Sequence, residues 1–259
     1  MQEDIGTPKI SVIIPAVNEE VIIASVVSGV RESLNAYGET YEVIVIDDGS
    51  SDETAALAHS AGAHIYSHPY NIGNGAAVKS GIRHARGKYL VFMDGDGQHD
   101  PADIPRLLER LDTYDMVVGT RTNDSVATPQ RKIANRLYNR FATYMCKRRI
   151  EDLTSGFRAI KKEIARQFIS LLPNEFSYPT TITMAVIRSG YSLAYVPIKA
   201  NRRIGKSKIK PLRDGARFFM IILKIATLFS PMRVFLPVSA FMFFMGLGYG
   251  LFRILFMGG

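Results

Sequence analysis

The sequence predicts an α/β domain with a mostly parallel central sheet, followed by an amphipathic segment and a terminal apolar helix. Three observations predict it. Short, nearly all-apolar runs alternate with helix-periodic stretches over the first 120 residues. Helix-start signals stand between those runs, and the composition turns strongly apolar in the last forty residues.

The elements follow in chain order. Runs 10–14, 42–46, 64–67, 89–93 and 115–119 read as strands, several apolar at every position. That pattern belongs to strands of a parallel sheet covered on both faces. Between the first two runs the sequence predicts a helix with Asn18 as N-cap and Glu19 and Glu20 in its first turn. Its stripe of Ile22, Ile23, Val26, Val27, Val30 and Leu34 repeats every three and four residues, and Gly38 ends it. The next helix opens on a capping box, Ser50-x-x-Glu53, and Asp100-Pro101 sets a third start. Such a βαβ series is doubly wound.

Residues 128–198 are more helical and end in a strand-like run at 192–198. Lys132, Arg136 and Arg140 share one helix face, as either a solvated surface or a face toward anionic lipid. Residues 215–230 are amphipathic and suit a helix lying in a membrane interface. Residues 234–256 are almost wholly apolar, broken by Ser239 and Arg253, and are long enough to span a bilayer. Gly246 and Gly250 give a spacing at which a neighbouring helix, for example from a second copy, packs closely. The expected division is therefore 1–210 catalytic, 211–231 interfacial and 232–259 transmembrane. The chain stops where the last helix would leave the membrane, as a natural end or a truncation would both produce.

A chain of 259 residues holds one large domain, or one with a small appendage. Its net charge of +8 is uneven: nine basic residues and one acid, Asp214, lie between Arg202 and Arg233. A basic block beside an apolar tail points to anionic membrane lipids. Nucleic acid is not an expected partner, since neither zinc-ligand spacing nor an aromatic RNA-binding motif is present. Cys146 is the single cysteine and reads as a helix-packing residue, which fits a reducing compartment. Met1-Gln-Glu-Asp is not a signal sequence, and basic residues precede the apolar helix. Both place an integral protein in the cell membrane with its catalytic domain in the cytoplasm.

Asp94-Gly-Asp96-Gly-Gln98-His-Asp100 follows directly on the apolar run 89–93. Ligands of open parallel sheets bind at the carboxyl ends of strands, where this cluster falls. Carboxylates two residues apart can converge on one hard cation, which would offset the charge of a diphosphate leaving group. A plain acidic turn is the simpler alternative; the calcium loop of an EF-hand lacks its remaining ligands here. Asp47-Asp48-Gly-Ser-Ser-Asp52 closes another buried run, where its acids would meet a base or ribose or serve as turn and cap groups. Asn71-x-Gly73-x-Gly75 leads into a helix whose N-terminus would attract phosphate. It is neither a dinucleotide fingerprint nor a P-loop.

Together with Pro15-Ala16-Val-Asn18-Glu19, these motifs resemble glycosyltransferase family 2, which has the GT-A, Rossmann-like fold. Gly119-Thr-Arg121, Asp152-Leu-Thr-Ser-Gly-Phe-Arg158 and Arg202-x-x-Gly205-x-Ser207-Lys208 resemble one branch, the polyprenyl-phosphate glycosyltransferases typified by dolichol-phosphate mannose synthase. The resemblance covers residues 9 to about 212. It implies that Pro15, Ala16, Asn18, Glu19, Asp47, Asp48 and Gly75 border the nucleotide-sugar donor. It implies that Asp94 lies at the ribose and diphosphate, and that Asp96 and Gln98, with Asp94, hold Mn²⁺ or Mg²⁺. Arg121 and Arg131, with Asp152 and Arg158, would meet the acceptor phosphate. Arg202, Ser207 and Lys208 would sit on a loop over the donor diphosphate, with Asp96, Arg121, Arg131 and Arg202 forming the catalytic set. Asn74 stands where many relatives have Lys, and Tyr178-Pro-Thr-Thr181-Ile-Thr183 where many carry a glutamate.

The activity implied is inverting transfer of a hexose, from a GDP-mannose or UDP-glucose type of donor, to a dolichyl or undecaprenyl phosphate. A hydroxyl acceptor needs a positioned base, whereas a phosphate monoester, with a second pKa of about 6, is already ionised near neutral pH. Such an acceptor needs arginines more than a base. The alternatives are a family 2 enzyme acting on a glycan or glycolipid hydroxyl, and a non-enzymatic nucleotide-binding membrane scaffold. A processive polysaccharide synthase would carry Gln-x-x-Arg-Trp, and this chain has no tryptophan. A sugar nucleotidyltransferase would carry a basic Gly-rich loop where Pro15-Ala-Val-Asn-Glu19 stands.

Overall fold

The computed structural model describes residues 6–122, 129–175, 177–201 and 211–256, the side chains of 129–134 and 211–218 excepted. Seven strands form one sheet in the order β3-β2-β1-β4-β6-β5-β7. They are β1 (Ile10–Ala16), β2 (Tyr41–Asp47), β3 (His64–Ser67), β4 (Tyr89–Phe92), β5 (Met116–Arg121), β6 (Arg158–Lys161) and β7 (Leu193–Ile198). Every pairing is parallel except those of β6, which runs antiparallel between β4 and β5. The sheet is thus mostly parallel, as expected. β6 was not anticipated, because its four residues Arg-Ala-Ile-Lys carry too little pattern to register as a strand.

Period-2 alternation sorts the strand residues onto two cores. Val12 and Ile14 of β1 face α1 (Ile23–Tyr37) and α4 (Ile104–Leu108). Ile13 faces the opposite layer, made of α3 (Asn74–His84), α6 (Lys162–Phe168) and α7 (Tyr178–Arg188). Each such side chain is fully buried, which stabilises the fold by roughly 1.5–3 kcal/mol per residue. The remaining short helix, α2 (Thr54–Ser60), precedes β3.

Two expected helix starts move. α1 begins at Ile23 rather than after Asn18, which instead adopts a left-handed φ of 54°. Its side-chain oxygen accepts from the Ser51 N–H at 2.9 Å, across to the loop after β2. Ser50 is drawn into the same exchange, accepting from the Asn18 N–H at 3.0 Å, so it forms no capping box; α2 begins at Thr54. Asp100 does cap the turn at Pro101–Asp103, accepting from the Ala102 N–H.

A third apolar cluster joins α5 (Pro129–Cys146), α7 and α8 (Pro211–Phe229) through Ala142, Met145, Cys146, Met184, Ile222, Ile225 and Ala226. Cys146 is buried there, and burial pushes its thiol up to about 11. α8 turns Phe219, Met220 and Leu228 outward. α9 (Pro231–Phe256) has no buried residue, and by length and composition it is long and apolar enough to cross a membrane. Its 26 residues extend about 39 Å at 1.5 Å each, against a hydrocarbon thickness of about 30 Å.

Candidate active site

The carboxyl ends of β1, β2 and β4 meet at one edge of the sheet. β1 pairs with β2 on one side and β4 on the other, so the chain order reverses between β1 and β4 and opens a crevice there. Pro15 and Ala16 end β1, Asp47 ends β2, and Asp94 lies just beyond β4.

The loops after β1 and β2 lock together through backbone amides. Glu19 N–H donates to Thr54 Oγ1 at 2.8 Å and Glu20 N–H to Asp52 Oδ2 at 3.2 Å. Glu53 N–H returns a bond to Glu20 Oε2 at 3.2 Å. Burial alone would raise the Asp52 carboxyl, but the Thr54 hydroxyl and the amides outweigh it and hold it below the ordinary carboxylate range. Asp47 Oδ1 accepts from the Ser50 N–H at 3.1 Å.

Asp48 faces inward. Its oxygens accept from Ile72 N–H at 3.0 Å and Gly73 N–H at 2.8 Å, and Oδ1 lies 2.7 Å from His68 Nδ1. His68 Nε2 in turn meets Ser80 Oγ at 2.9 Å. Asp48 therefore holds the 68–73 loop. Sequence reasoning missed His68 and Ser80; they lie 20 and 32 positions from Asp48, and only the fold brings them to it.

The Gly75 amide is taken within the protein. Its N–H donates to Glu175 O at 2.9 Å, and that of Ala76 donates to Asn174 O at 2.7 Å. A Cβ on Gly75 would fall 2.1 Å from Pro173 O, so glycine is required for this backbone contact. The N-terminus of α3 is a docking point for the segment before α7.

Beyond β4, Asp96 is buried and Oδ1 accepts from the Gln98 N–H at 3.1 Å, so the chain turns back at the acidic cluster. Asp94 lies against a backbone wall: a Cβ on Gly156 would stand 2.6 Å from Asp94 Oδ2. Two carboxylates and the Gln98 amide are hard oxygen donors, suited to Mg²⁺ or Mn²⁺. Among the described residues no group of three acidic, His or Cys side chains is placed to hold a metal. With so few protein donors, an ion held there would need further oxygens from water or a bound ligand, as Mg²⁺ commonly takes. His99 is buried and stacked on Phe157 at 5.1 Å. Burial lowers it to about 4, against the pull of Asp96, so its ring is neutral at pH 7.

Arg121, at the end of β5, is gripped by Asp152: Nε meets Oδ2 at 2.8 Å and Nη2 meets Oδ1 at 2.9 Å. Nη2 also donates to Thr154 Oγ1, and Nη1 bonds no described residue. Burial opposes the charge on Asp152, but the Arg121 bonds and charge and the Thr154 amide hold its carboxyl below the usual range. Burial likewise opposes the charge of Arg121, and Asp152 more than restores it. Asp152 is thus the residue that orients Arg121.

Arg158 is bonded within the protein. It was expected at the acceptor, yet it is wholly buried. Its guanidinium donates to Pro179 O at 3.0 Å, Thr183 Oγ1 at 2.9 Å and Ser155 O. Burial pulls its pKa below the ordinary guanidinium value. It ties β6 to α7. Arg131 lies on α5 with its side chain outside the described residues, and Arg202, Ser207 and Lys208 lie outside them altogether.

An α/β sheet with paired carboxylates at its switch point and an oriented arginine beside them defines the class: a nucleotide-sugar transferase of GT-A type. Residues 11–169 match Glycosyl transferase family 2, and the chain belongs to that family. It is 30% identical over 250 residues to glycosyltransferase AglJ of Haloferax volcanii, covering 94% of this chain and 80% of that protein. It is 26% identical over 253 residues to undecaprenyl-phosphate 4-deoxy-4-formamido-L-arabinose transferase of Klebsiella pneumoniae, covering 95% and 76%. A similar fold is seen in glucosyl-3-phosphoglycerate synthase of Mycobacterium tuberculosis, solved with Mn²⁺, uridine diphosphate and phosphoglyceric acid. There the TM-score is 0.69 at 21% identity, over 85% of this chain and 78% of that one.

Proposed function

We propose that this enzyme transfers a hexose from a nucleotide-diphosphate sugar to a polyprenyl phosphate at the cytoplasmic face of the cell membrane, with inversion. The observation that carries this reading is the Arg121–Asp152 pair. It holds a cation in fixed orientation at the same end of the sheet as Asp94 and Asp96, in a chain whose α9 is long enough to span a bilayer. The undecaprenyl-phosphate transferases among its relatives support the acceptor class.

In this reading the catalytic domain ends near 210, residues 211–231 lie in the interface and 232–259 cross the membrane. Pro15, Ala16, Asn18, Glu19 and Asp47 border the nucleoside, and Asp48 shapes the wall they stand on. Asp94, Asp96 and Gln98 would hold Mn²⁺ or Mg²⁺, which when bound offsets the diphosphate charge and stabilises the leaving group. Arg121 binds and orients the acceptor phosphate, joined by Arg131; Arg202, Ser207 and Lys208 close over the donor. The phosphate is a dianion for the most part at pH 7, so no side chain need remove a proton. One of its oxygens attacks the anomeric carbon opposite the diphosphate, that oxygen–carbon bond forms as the carbon–diphosphate bond breaks, and an α-linked donor gives a β-linked product. Gly246 and Gly250 stand in open space on α9, and a second copy's helix would pack there.

The test is transfer by the full chain in detergent with manganese, offering labelled UDP-glucose or GDP-mannose with and without polyprenyl phosphate. Label entering the organic phase only with the lipid, and lost in Asp96→Ala, is the expected result. Retention of anomeric configuration by NMR would refute inversion, and transfer to a glycan hydroxyl alone would refute the acceptor.

A further inference from the structure

A basic pocket stands away from the acidic cluster, where α5 ends and α9 begins. Thr143, Tyr144, Lys147, Arg148, Arg149 and Arg233 enclose a surface pocket of about 410 Å³. Arg233, in the first turn of α9, donates from Nη1 to Met145 O at 2.6 Å, which pins the apolar helix to the end of α5. Four cations therefore face one concavity. Arg149 has a loose partner in Glu151 at 3.6 Å, and Lys147 and Arg148 have no ion pair among the described residues.

Tyr144 in the lining is 59% exposed, and Met232, Phe235 and Leu236, close to Arg233 in the sequence of α9, are exposed as well. Clustered guanidinium groups are matched to phosphate oxygens, and an exposed tyrosine in a pocket shared with the first turn of an apolar helix is matched to the level of lipid headgroups. Arg136, Arg140, Tyr144 and Arg148 follow at four-residue intervals, so the exposed basic face of α5 leads into the pocket.

We propose that this pocket receives the phosphate headgroup of an anionic membrane phospholipid and so seats the end of α5 on the bilayer surface where α9 enters it. This rests on the reading that α9 spans. The segment that leaves the pocket reaches Asp152 three residues after Arg149, a distance of at most about 11 Å of chain. Asn139 holds that segment against α5, accepting from Leu153 N–H at 3.0 Å and donating to Glu151 O at 2.6 Å. Docking the pocket thereby fixes the height of Arg121 above the membrane.

The experiment uses the full chain in nanodiscs of phosphatidylcholine doped with phosphatidylglycerol, with lipids retained per chain counted by native mass spectrometry after release. The native chain is expected to retain phosphatidylglycerol in preference to phosphatidylcholine. The double variant Arg148→Glu/Arg149→Glu should lose that preference, by roughly five-fold for each basic residue removed. Both side chains are exposed, so the fold should survive, and the matched Lys/Lys variant should keep the preference. Equal retention of the two lipids, or an unchanged Glu/Glu variant, overturns the proposal. So does full displacement by soluble glycerol phosphate, which would assign the pocket to a free phosphate ester. Carbonate extraction of the expressing membranes separates this from failure of the spanning reading: a chain released by carbonate refutes the span itself, whereas one retained without lipid preference refutes only the pocket.

Discussion

The two halves of the site are built from different interactions. On the β1–β2 side, carboxylate, amide and hydroxyl side chains accept from backbone amides across two loops, with Asn18, Asp47, Asp48 and Asp52 as acceptors. On the β5–β6 side, guanidinium groups are withdrawn from water, Arg121 in part against a carboxylate and Arg158 wholly against carbonyls and a hydroxyl. The first half makes a shaped wall of neutral and acidic groups. The second holds Arg121 as a fixed positive charge at the strand ends, with Arg158 wholly buried. Orientation on the β1–β2 side is spread over many modest bonds of about 1 kcal/mol each, whereas the β5–β6 side concentrates it in a few costly ones.

That difference can be tested from the largest effect downward. Asp96→Ala removes a donor from the acidic turn between the halves, and label transfer should fall by about 10³-fold or more with the fold intact by circular dichroism. Asp152→Ala leaves Arg121 half-buried without its anion. A loss of about 3–5 kcal/mol in stability by denaturant titration, together with a raised KM for the polyprenyl phosphate, is the expected signature. Asp48→Ala strands two amides and His68, for about 1–3 kcal/mol and a raised KM for the donor alone. If it raised the acceptor KM instead, the division into halves would not stand. Arg158→Met should cost about 1–3 kcal/mol through the carbonyls it leaves unpaired, with both KM values unchanged.

The smallest effect is that of pH. Asp152, Glu42 and Asp115 all have carboxyls held below their ordinary values in the folded protein, burial opposing and hydrogen bonds and basic partners prevailing. A depressed folded pKa means stability that is fully present above the unfolded value of about 4 and is lost as pH falls through the folded one. Denaturation midpoints should therefore begin to fall below about pH 6.5, where the unfolded chain protonates His99 while the buried ring stays neutral until about 4, and fall further below about 4 as these carboxylates protonate. Asp152→Ala should flatten part of that decline, and Asp52→Ala, whose acid is largely solvated, should change it less.

The sequence by itself determined the parallel sheet, five of its strands to within two residues at each end, the seventh strand, and the placing of Asp94 and Asp96 at a strand's carboxyl end. Each of these follows from local pattern: apolar runs can be satisfied only by burial on both faces, and a motif directly after such a run lies at the sheet's edge. It also determined α9, since composition over 20 residues is a local property. Only the tertiary structure decided the rest. Asn18 and Ser50 carry good helix-start signals, yet each is taken by the opposite loop, because a cross-loop amide competes for the same oxygen. Gly75 stands at a glycine-spaced helix start, yet its amide goes to Glu175 O, a hundred positions away. Arg158 sits in the same motif six residues after Asp152 and looks like its equal. Asp152, in the loop before β6, pairs with Arg121, whereas Arg158 opens β6 with its side chain buried against α7, a distinction that sequence spacing alone does not show.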